Sequence, residues 1–385
     1  MRTERLYYAD PHMRAFEARV LSCAPGKHGF DVVLDRTAFY PEGGGQPGDS
    51  GTLSGVRVTD THEHEGVIVH YCAAPLEAGC LVHGELDWQQ RFDRMQQHSG
   101  EHLLSGIIHR RFGLDNVGFH MGAEAVTIDF SGMLTPEQLL AVEREANEAV
   151  WRCLTTEITW PDAETLRTIA YRSKKELTGE VRIVIFPGVD ICACCGTHVS
   201  STGEIGLVKI LSCEKFHEGV RLEILCGRRA LEYLHEMTEQ NRQVSGLLSA
   251  RPRETAEAVR RTLDELSRQK LRAASLETRV FAAQAERYCG AQNVLLFEET
   301  LPPDGLRRLT DAIAARCTGL CAVFSGTDAD GYKYCVAQTG GDLREFTKRM
   351  NAALSGRGGG KPFFVQGSVQ ATRQQIEAFF EEAGQ

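Results

Sequence analysis

Two short motifs restrict this chain more than any other feature, because they read as two halves of one site that folding must bring together. They are His98-Ser-Gly-Glu-His102 and Cys194-Cys-Gly-Thr-His198, with Cys194 92 residues after His102. In each, the outer residues are four apart. On a helix that spacing stacks two side chains on one face, one turn apart. Two imidazoles so placed can share one ion. A thiolate and a third imidazole from a tight turn would complete a tetrahedron of nitrogen and sulfur, the donor set Zn²⁺ prefers. A lone histidine on an amphipathic helix is better read as an ordinary surface or core residue. The matching Cys/His pair downstream moves the reading to metal, with His98, His102, Cys194 and His198 as ligands. Cys192, Cys194 and Cys195 crowd the same turn, and any of the three sulfurs could reach.

The literal string His-x-x-Glu-His is also the signature of inverzincin metalloproteases, in which Glu101 would be the general base. That reading leaves the Cys-x-x-x-His element unused. A zinc-stabilised RNA-binding protein without hydrolytic activity is a third reading.

At 385 residues the chain suits two or three domains. No stretch approaches the ~20 apolar residues of a membrane span, and the N-terminus lacks the apolar core of a signal peptide. Thirteen cysteines, an odd number without framework spacing, suit reduced thiols and a cytoplasmic location. The net charge of −9 argues against nucleic acid as a partner, but its distribution softens that. From Arg228 onward basic residues number 22 against 20 acidic, and nine basic face six acidic between Arg251 and Arg287. RNA contact needs a local basic face, not a basic protein.

Periodicity divides the chain. Residues 14–88 read as short strands: Phe16, Ala18 and Val20 alternate with polar neighbours, and Gly, Pro, Asp and His punctuate the runs. A helix is predicted over 89–111 and another over 136–151, with Thr135 as N-cap and Pro136 at the first position. Strands follow at 155–160, 181–186, 204–211 and 220–226. Helices are predicted over 228–246 and, after Pro252, to about 288. The remainder alternates strands with helices. The expected fold is α+β and multidomain: a small β-barrel-like domain (1–88), an α+β metal-binding domain (89–227), a long helical segment (228–290) and a small α/β module (291–385).

Two glycine-rich stretches need separate treatment. Gly43-Gly-Gly-Gln-Pro-Gly48 satisfies Gly-x-Gly-x-x-Gly, but Pro47 interrupts it and no phosphate-capping helix follows, so it is no dinucleotide site. A tight loop in which Gly44 and Gly45 let backbone approach a ligand fits better. The stretch 356–361 fails as a Walker A loop, because Pro362 follows the lysine. Its backbone amides with Arg357 and Lys361 could hold an RNA phosphate.

These stretches carry a family resemblance. His-x-x-x-His-Leu-Leu, then Cys-x-x-x-His followed by Val199-Ser-Ser-Thr-Gly-Glu-Ile-Gly206, resembles the editing domain of alanyl-tRNA synthetase and the free-standing AlaX proteins. Arg36-Thr-Ala-Phe-Tyr-Pro-Glu-Gly-Gly-Gly-Gln-Pro-Gly-Asp49 resembles the glycine-rich motif of the same family. Residues 356–367 resemble the synthetase's C-terminal domain. The stretches occur in family order across nearly the whole chain, as in long-form AlaX proteins. The resemblance implies trans-acting hydrolysis of the ester that joins serine, or glycine, to tRNA(Ala), at a site holding Zn²⁺. It selects Cys194 as the sulfur ligand. It makes Thr37 the partner of a serine hydroxyl and Gln46 a residue of the same catalytic pocket. It also implies that the C-terminal module grips tRNA and that the long helix mediates homodimerisation.

Overall fold

The computed structural model of the chain describes residues 2–173 and 180–383. They form two compact units, Met1–Arg242 and Gln243–Gln385. The class is mixed α+β. Among the described residues no helix is long and apolar enough to cross a membrane.

The first unit opens with a closed six-stranded barrel. Its order is Ala15–Gly26, Gly29–Leu34, Val67–Cys72, Val56–His64, Gly51–Leu53 and Leu81–Leu86, returning to the first strand, with every neighbouring pair antiparallel. Side chains alternate along a strand. Phe16, Ala18 and Val20 therefore point inward together, against Val32, Leu34, Val58 and Val82. Closure leaves no exposed sheet edge.

The helix Trp88–Phe112 follows directly. Its buried face is largely polar, which buried groups tolerate only when hydrogen-bonded. Arg91 Nε donates to Asp49 at 2.8 Å. Gln97 donates to the Cys226 carbonyl and accepts from the Cys226 amide, both at 2.8 Å. Gln96 Nε2 donates to the Glu204 carbonyl at 2.8 Å, and Asp93 takes the Arg229 guanidinium. These bonds tie the helix to the glycine-rich segment on one side and to strand ends on the other.

A four-stranded antiparallel sheet, ordered Val208–Phe216, Gly219–Cys226, Val126–Phe130 and Asn116–Met121, shares a core with this helix and with the helix Pro136–Trp151. The latter starts at the Thr135–Pro136 cap, where Thr135 and Gln138 form a capping box. A smaller sheet of Glu157–Thr159, Ile183–Phe186 and Asp190–Ala193 delivers the cysteine turn.

In the second unit a five-stranded sheet runs Val294–Glu298, Leu320–Thr327, Gly331–Gln338, Phe364–Val369, Arg357–Lys361, with only the first pair parallel. Alternation along Leu320–Thr327 sends Ala322 and Phe324 to one face, where Met350 and Ile376 pack. Cys321 and Val323 go to the other face, against Leu309 and Phe281, so helices cover both.

Several segments depart from the sequence reading. The strand expected over 204–211 begins only at Val208, because Thr202–Ile205 is a 3₁₀ turn and Gly206, at φ 78°, redirects the chain. The stretch 356–361 is not a phosphate loop: Arg357–Lys361 is an edge strand paired with Phe364–Val369. A Cβ on Gly358 would lie 2.3 Å from the Tyr334 hydroxyl and one on Gly360 2.4 Å from the Phe364 carbonyl oxygen, so these two glycines allow close strand approach. The strands Asn116–Met121, Val126–Phe130 and Phe364–Val369 were not anticipated.

Candidate metal centre

The structure brings His98, His102, Cys194 and His198 together, with their ligand atoms all within 4.8 Å of one another. The two histidines of the helix Trp88–Phe112 share a face, and the turn after Asp190–Ala193 presents the other two residues. Cys194 Sγ is 3.4 Å from His98 Nε2 and 3.4 Å from His198 Nε2. A zinc tetrahedron with bonds of about 2.0–2.3 Å has edges of roughly 3.3–3.8 Å. The donors therefore fit an ion of that kind by type and spacing.

The far side of each ring is held. His98 Nδ1 donates to Gln46 Oε1 at 2.9 Å, and His102 Nδ1 donates to Asp190 at 2.8 Å. His198 Nδ1 faces Ser99 Oγ at 3.4 Å. With Nδ1 so occupied, each ring turns Nε2 toward the sulfur, the arrangement that fixes tautomer and orientation in metal sites. Asp190 is itself held by Arg172, through Nε at 2.7 Å and Nη2 at 2.8 Å.

The titrating groups of the cluster are shifted in different directions: burial lowers His102, but its bonds to Asp190 and Cys194 raise it overall to about 9. Burial would raise the Cys194 thiol, but positive charge on the imidazoles around it, with the hydrogen bond from His102, holds it well below the ordinary thiol range. Burial pushes His198 down to about 3, leaving a neutral ring. Burial opposes charge on Asp190, yet the bonds from His102 and Arg172 keep its carboxyl below the usual range.

The three crowded cysteines separate clearly. Cys194 lies in the cluster. Cys192 is buried near His102 and Asp190, and burial drives its thiol upward. Cys195 is exposed. Gly196 is required by the site, because a Cβ there would fall 2.1 Å from His98 Cε1 and 3.0 Å from Gln46 Oε1. Among the described residues two further groups of potential ligands occur: His102 with Asp190 and Cys192, which overlaps the main cluster, and Glu42, Asp60 and His62, a partly exposed trio in which His62 already bonds Asp60 at 3.0 Å.

Gln46 reaches the centre through the glycine turn. Gly43 and Gln46 exchange backbone hydrogen bonds, both at 3.0 Å, around Gly44 at φ 61° and Gly45 at φ 85°. Two consecutive positive φ values suit glycine and reverse the chain within two residues. Gly44 meets open space, whereas Gly45 packs on Phe119. The Gln46 amide is committed to protein: Nε2 donates to Thr197 Oγ1 at 2.8 Å, while Oε1 serves His98 and the Thr197 amide. It orients a ligand ring.

Thr37 is wholly buried beside His70, with Oγ1 2.8 Å from His70 Nε2. His70 Nδ1 lies 3.1 Å from the Val32 carbonyl, which only accepts, so the ring proton sits on Nδ1. Nε2 is then an acceptor, and Thr37 donates its proton to it. The Phe39 amide donates to Thr37 at 3.1 Å, leaving one lone pair on the hydroxyl. Glu101 is buried and bonded to Ser105 and Asn116, with its other oxygen 3.9 Å from His102 Nε2. That confinement does not suit the general base of a protease. Arg357 and Lys361 lie at the two ends of the exposed edge strand in the second unit.

Sequence reasoning missed Asp190, Arg172, Ser99, His70, Thr197 and Arg182. Asp190 had a signal, a lone carboxylate in an apolar run four residues before Cys194; the others had none.

Comparison with known proteins covers most of the chain. The family described as "Threonyl and Alanyl tRNA synthetase second additional domain" matches residues 181–222, and "tRNA synthetases class II (A)" matches residues 9–90. The chain is 29% identical to the alanyl-tRNA editing protein AlaX-L of Pyrococcus horikoshii, over 97% of this chain and 96% of that one. It is 32% identical to the alanyl-tRNA editing protein Aarsd1 of Mus musculus, over 66% of each. It is 33% identical to the alanine–tRNA ligase of Pyrobaculum arsenaticum, over 95% of this chain but 42% of the ligase.

Proposed function

The chain belongs to the AlaX-like family of alanyl-tRNA editing proteins, and we propose that it is a deacylase that hydrolyses, in trans and in the cytoplasm, the ester joining a wrong amino acid to tRNA(Ala). The observation that carries this reading is the convergence of His98, His102, Cys194 and His198 in a chain aligned almost end to end with an editing protein. We assign Zn²⁺ to these ligands and serine, or glycine, to the misplaced amino acid. Zn²⁺ held by all four ligands would supply positive charge that orients the substrate, and would polarise an ester carbonyl only if one coordination position opened. The chain's own contribution is rigidity: Gln46, Asp190 and Ser99 hold the three rings.

Discrimination falls to Thr37. Its proton is committed to His70, so it meets a serine hydroxyl as an acceptor. Alanine offers no proton and leaves that lone pair unmatched, the kind of difference that gives large selectivity. For tRNA contact we assign Arg357 and Lys361 and the charged helix Thr255–Glu286, which supply affinity, not ester chemistry.

The test is deacylation of Ser-tRNA(Ala) against Ala-tRNA(Ala), with and without a chelator. Preferential, chelator-sensitive removal of serine is expected. Binding of tRNA without deacylation would make the protein an RNA-binding module.

A further inference from the structure

Among the described residues Arg91 and Arg182 are the buried arginines, and they are treated differently. Arg91 pairs with the Asp49 carboxylate. Arg182, 5% exposed, has no carboxylate partner among the described residues, and its Nε is buried there without a hydrogen bond. A buried charge is costly unless paired. Its Nη1 donates to the carbonyls of Cys194 at 2.7 Å and Gly196 at 2.9 Å, so the cation is fastened to the turn that carries a metal ligand.

Two rings flank it. The guanidinium carbon lies 4.9 Å from the centre of Tyr8 and 6.0 Å from that of Trp160. The rings meet edge-on at 6.1 Å, and Trp160 is 43% exposed. An exposed indole beside a guanidinium whose charge meets no carboxylate among the described residues has the two chemistries that hold a single-stranded nucleotide: a face for base stacking and a cation for phosphate. Its place at the cysteine turn puts such a nucleotide next to the metal centre.

We propose that Trp160, Tyr8 and Arg182 form the binding site for the 3′-terminal nucleotide of the RNA substrate, with the adenine stacked on Trp160 and its phosphate drawn to Arg182. This rests on the reading of the protein as an aminoacyl-tRNA hydrolase. It assigns recognition of the RNA end to the first unit, apart from any tRNA grip in the second.

The test uses the full-length protein. W160A should raise KM for Ser-tRNA(Ala) about tenfold or more, the loss expected for one base stack, with kcat within about twofold and metal content unchanged. W160F should restore KM. The trinucleotide CpCpA should inhibit the parent more strongly than CpC, and W160A should erase that difference. R182K should weaken CpCpA inhibition less than W160A does, because the charge remains. A W160A enzyme with the parent's KM and CpCpA inhibition would overturn the proposal while leaving the hydrolase reading intact. If the parent deacylates nothing, that reading fails, and tryptophan fluorescence then decides: CpCpA should quench the parent and not W160F, and equal quenching of both would overturn the site.

Discussion

Gln46 Oε1 lies 2.9 Å from His98 Nδ1, so a residue of the glycine-rich turn sets the orientation of a ligand on the buried helix. Gln46→Leu removes that acceptor while roughly keeping volume. Metal affinity should fall about 10–100-fold, the usual cost of losing such a partner, and the fold should persist. Competition with a calibrated chelator measures the change. Parent-like affinity would mean that packing alone holds the ring.

Gly196→Ala should abolish metal retention. The new Cβ would sit 2.1 Å from His98 Cε1, and neither the backbone turn nor the clamped ring can yield far. Gly359→Ala is the contrast, since nothing lies within 4 Å of its Cβ. Elemental analysis beside a thermal melt should separate them, with metal lost from the first and both properties kept in the second.

Thr37→Val deletes the donor to His70 Nε2 and leaves a buried acceptor unpaired. Stability should drop by ~1–3 kcal/mol, and selective removal of serine should weaken. Thr37→Ser keeps the hydroxyl and should spare both. Denaturant midpoints with matched deacylation rates give the answer. A valine variant as stable and selective as its parent would show that Thr37 neither holds His70 nor reads serine.

His70 links stability to pH. Burial lowers it from 6.5 to about 4, so above pH 6.5 it is neutral folded or unfolded. As pH falls from about 6.5 toward 4, the unfolded chain takes up a proton that the native one refuses. Stability is then lost progressively, by roughly 3 kcal/mol once pH is below the folded value. His70→Gln should flatten this part of the profile in urea titrations between pH 7 and 4. An unchanged slope would place the acid sensitivity elsewhere.

Truncation after Arg242, where the first unit ends, should leave a folded metal protein. A cut after Gly227 is worse placed, because Arg229 bonds Asp93 at 2.8 Å and the Gly122 carbonyl at 2.9 Å. The truncated form should bind tRNA more weakly and with a shallower salt dependence, since phosphate contacts carry that slope. Equal binding across a salt series would mean that the second unit serves some other purpose.

What the sequence determined by itself is local. The i, i+4 spacing of His98 and His102 reports a shared helix face, Thr135-Pro136 reports a helix start, and alternation at Phe16, Ala18 and Val20 reports an inward strand face. The residue types at Cys194 and His198 report donor chemistry. Where a pattern is interrupted, local reading stops: Gly118, His120 and Gly122 hid one strand, and Gly358–Gly360 looked like a loop because only strand pairing shows that Gly358 and Gly360 need bare backbone. The partners of the ligands were beyond local reading altogether. Gln46 lies 52 residues from His98, and Asp190 lies 88 from His102. Such pairings depend on how barrel, helix and cysteine turn close on one another, and on the rule that a buried polar group must find its partner there. Tertiary structure decided that Gln46 serves a ligand, that Thr37 spends its proton on His70, and that Arg182, without a carboxylate partner among the described residues, is fastened to the cysteine turn.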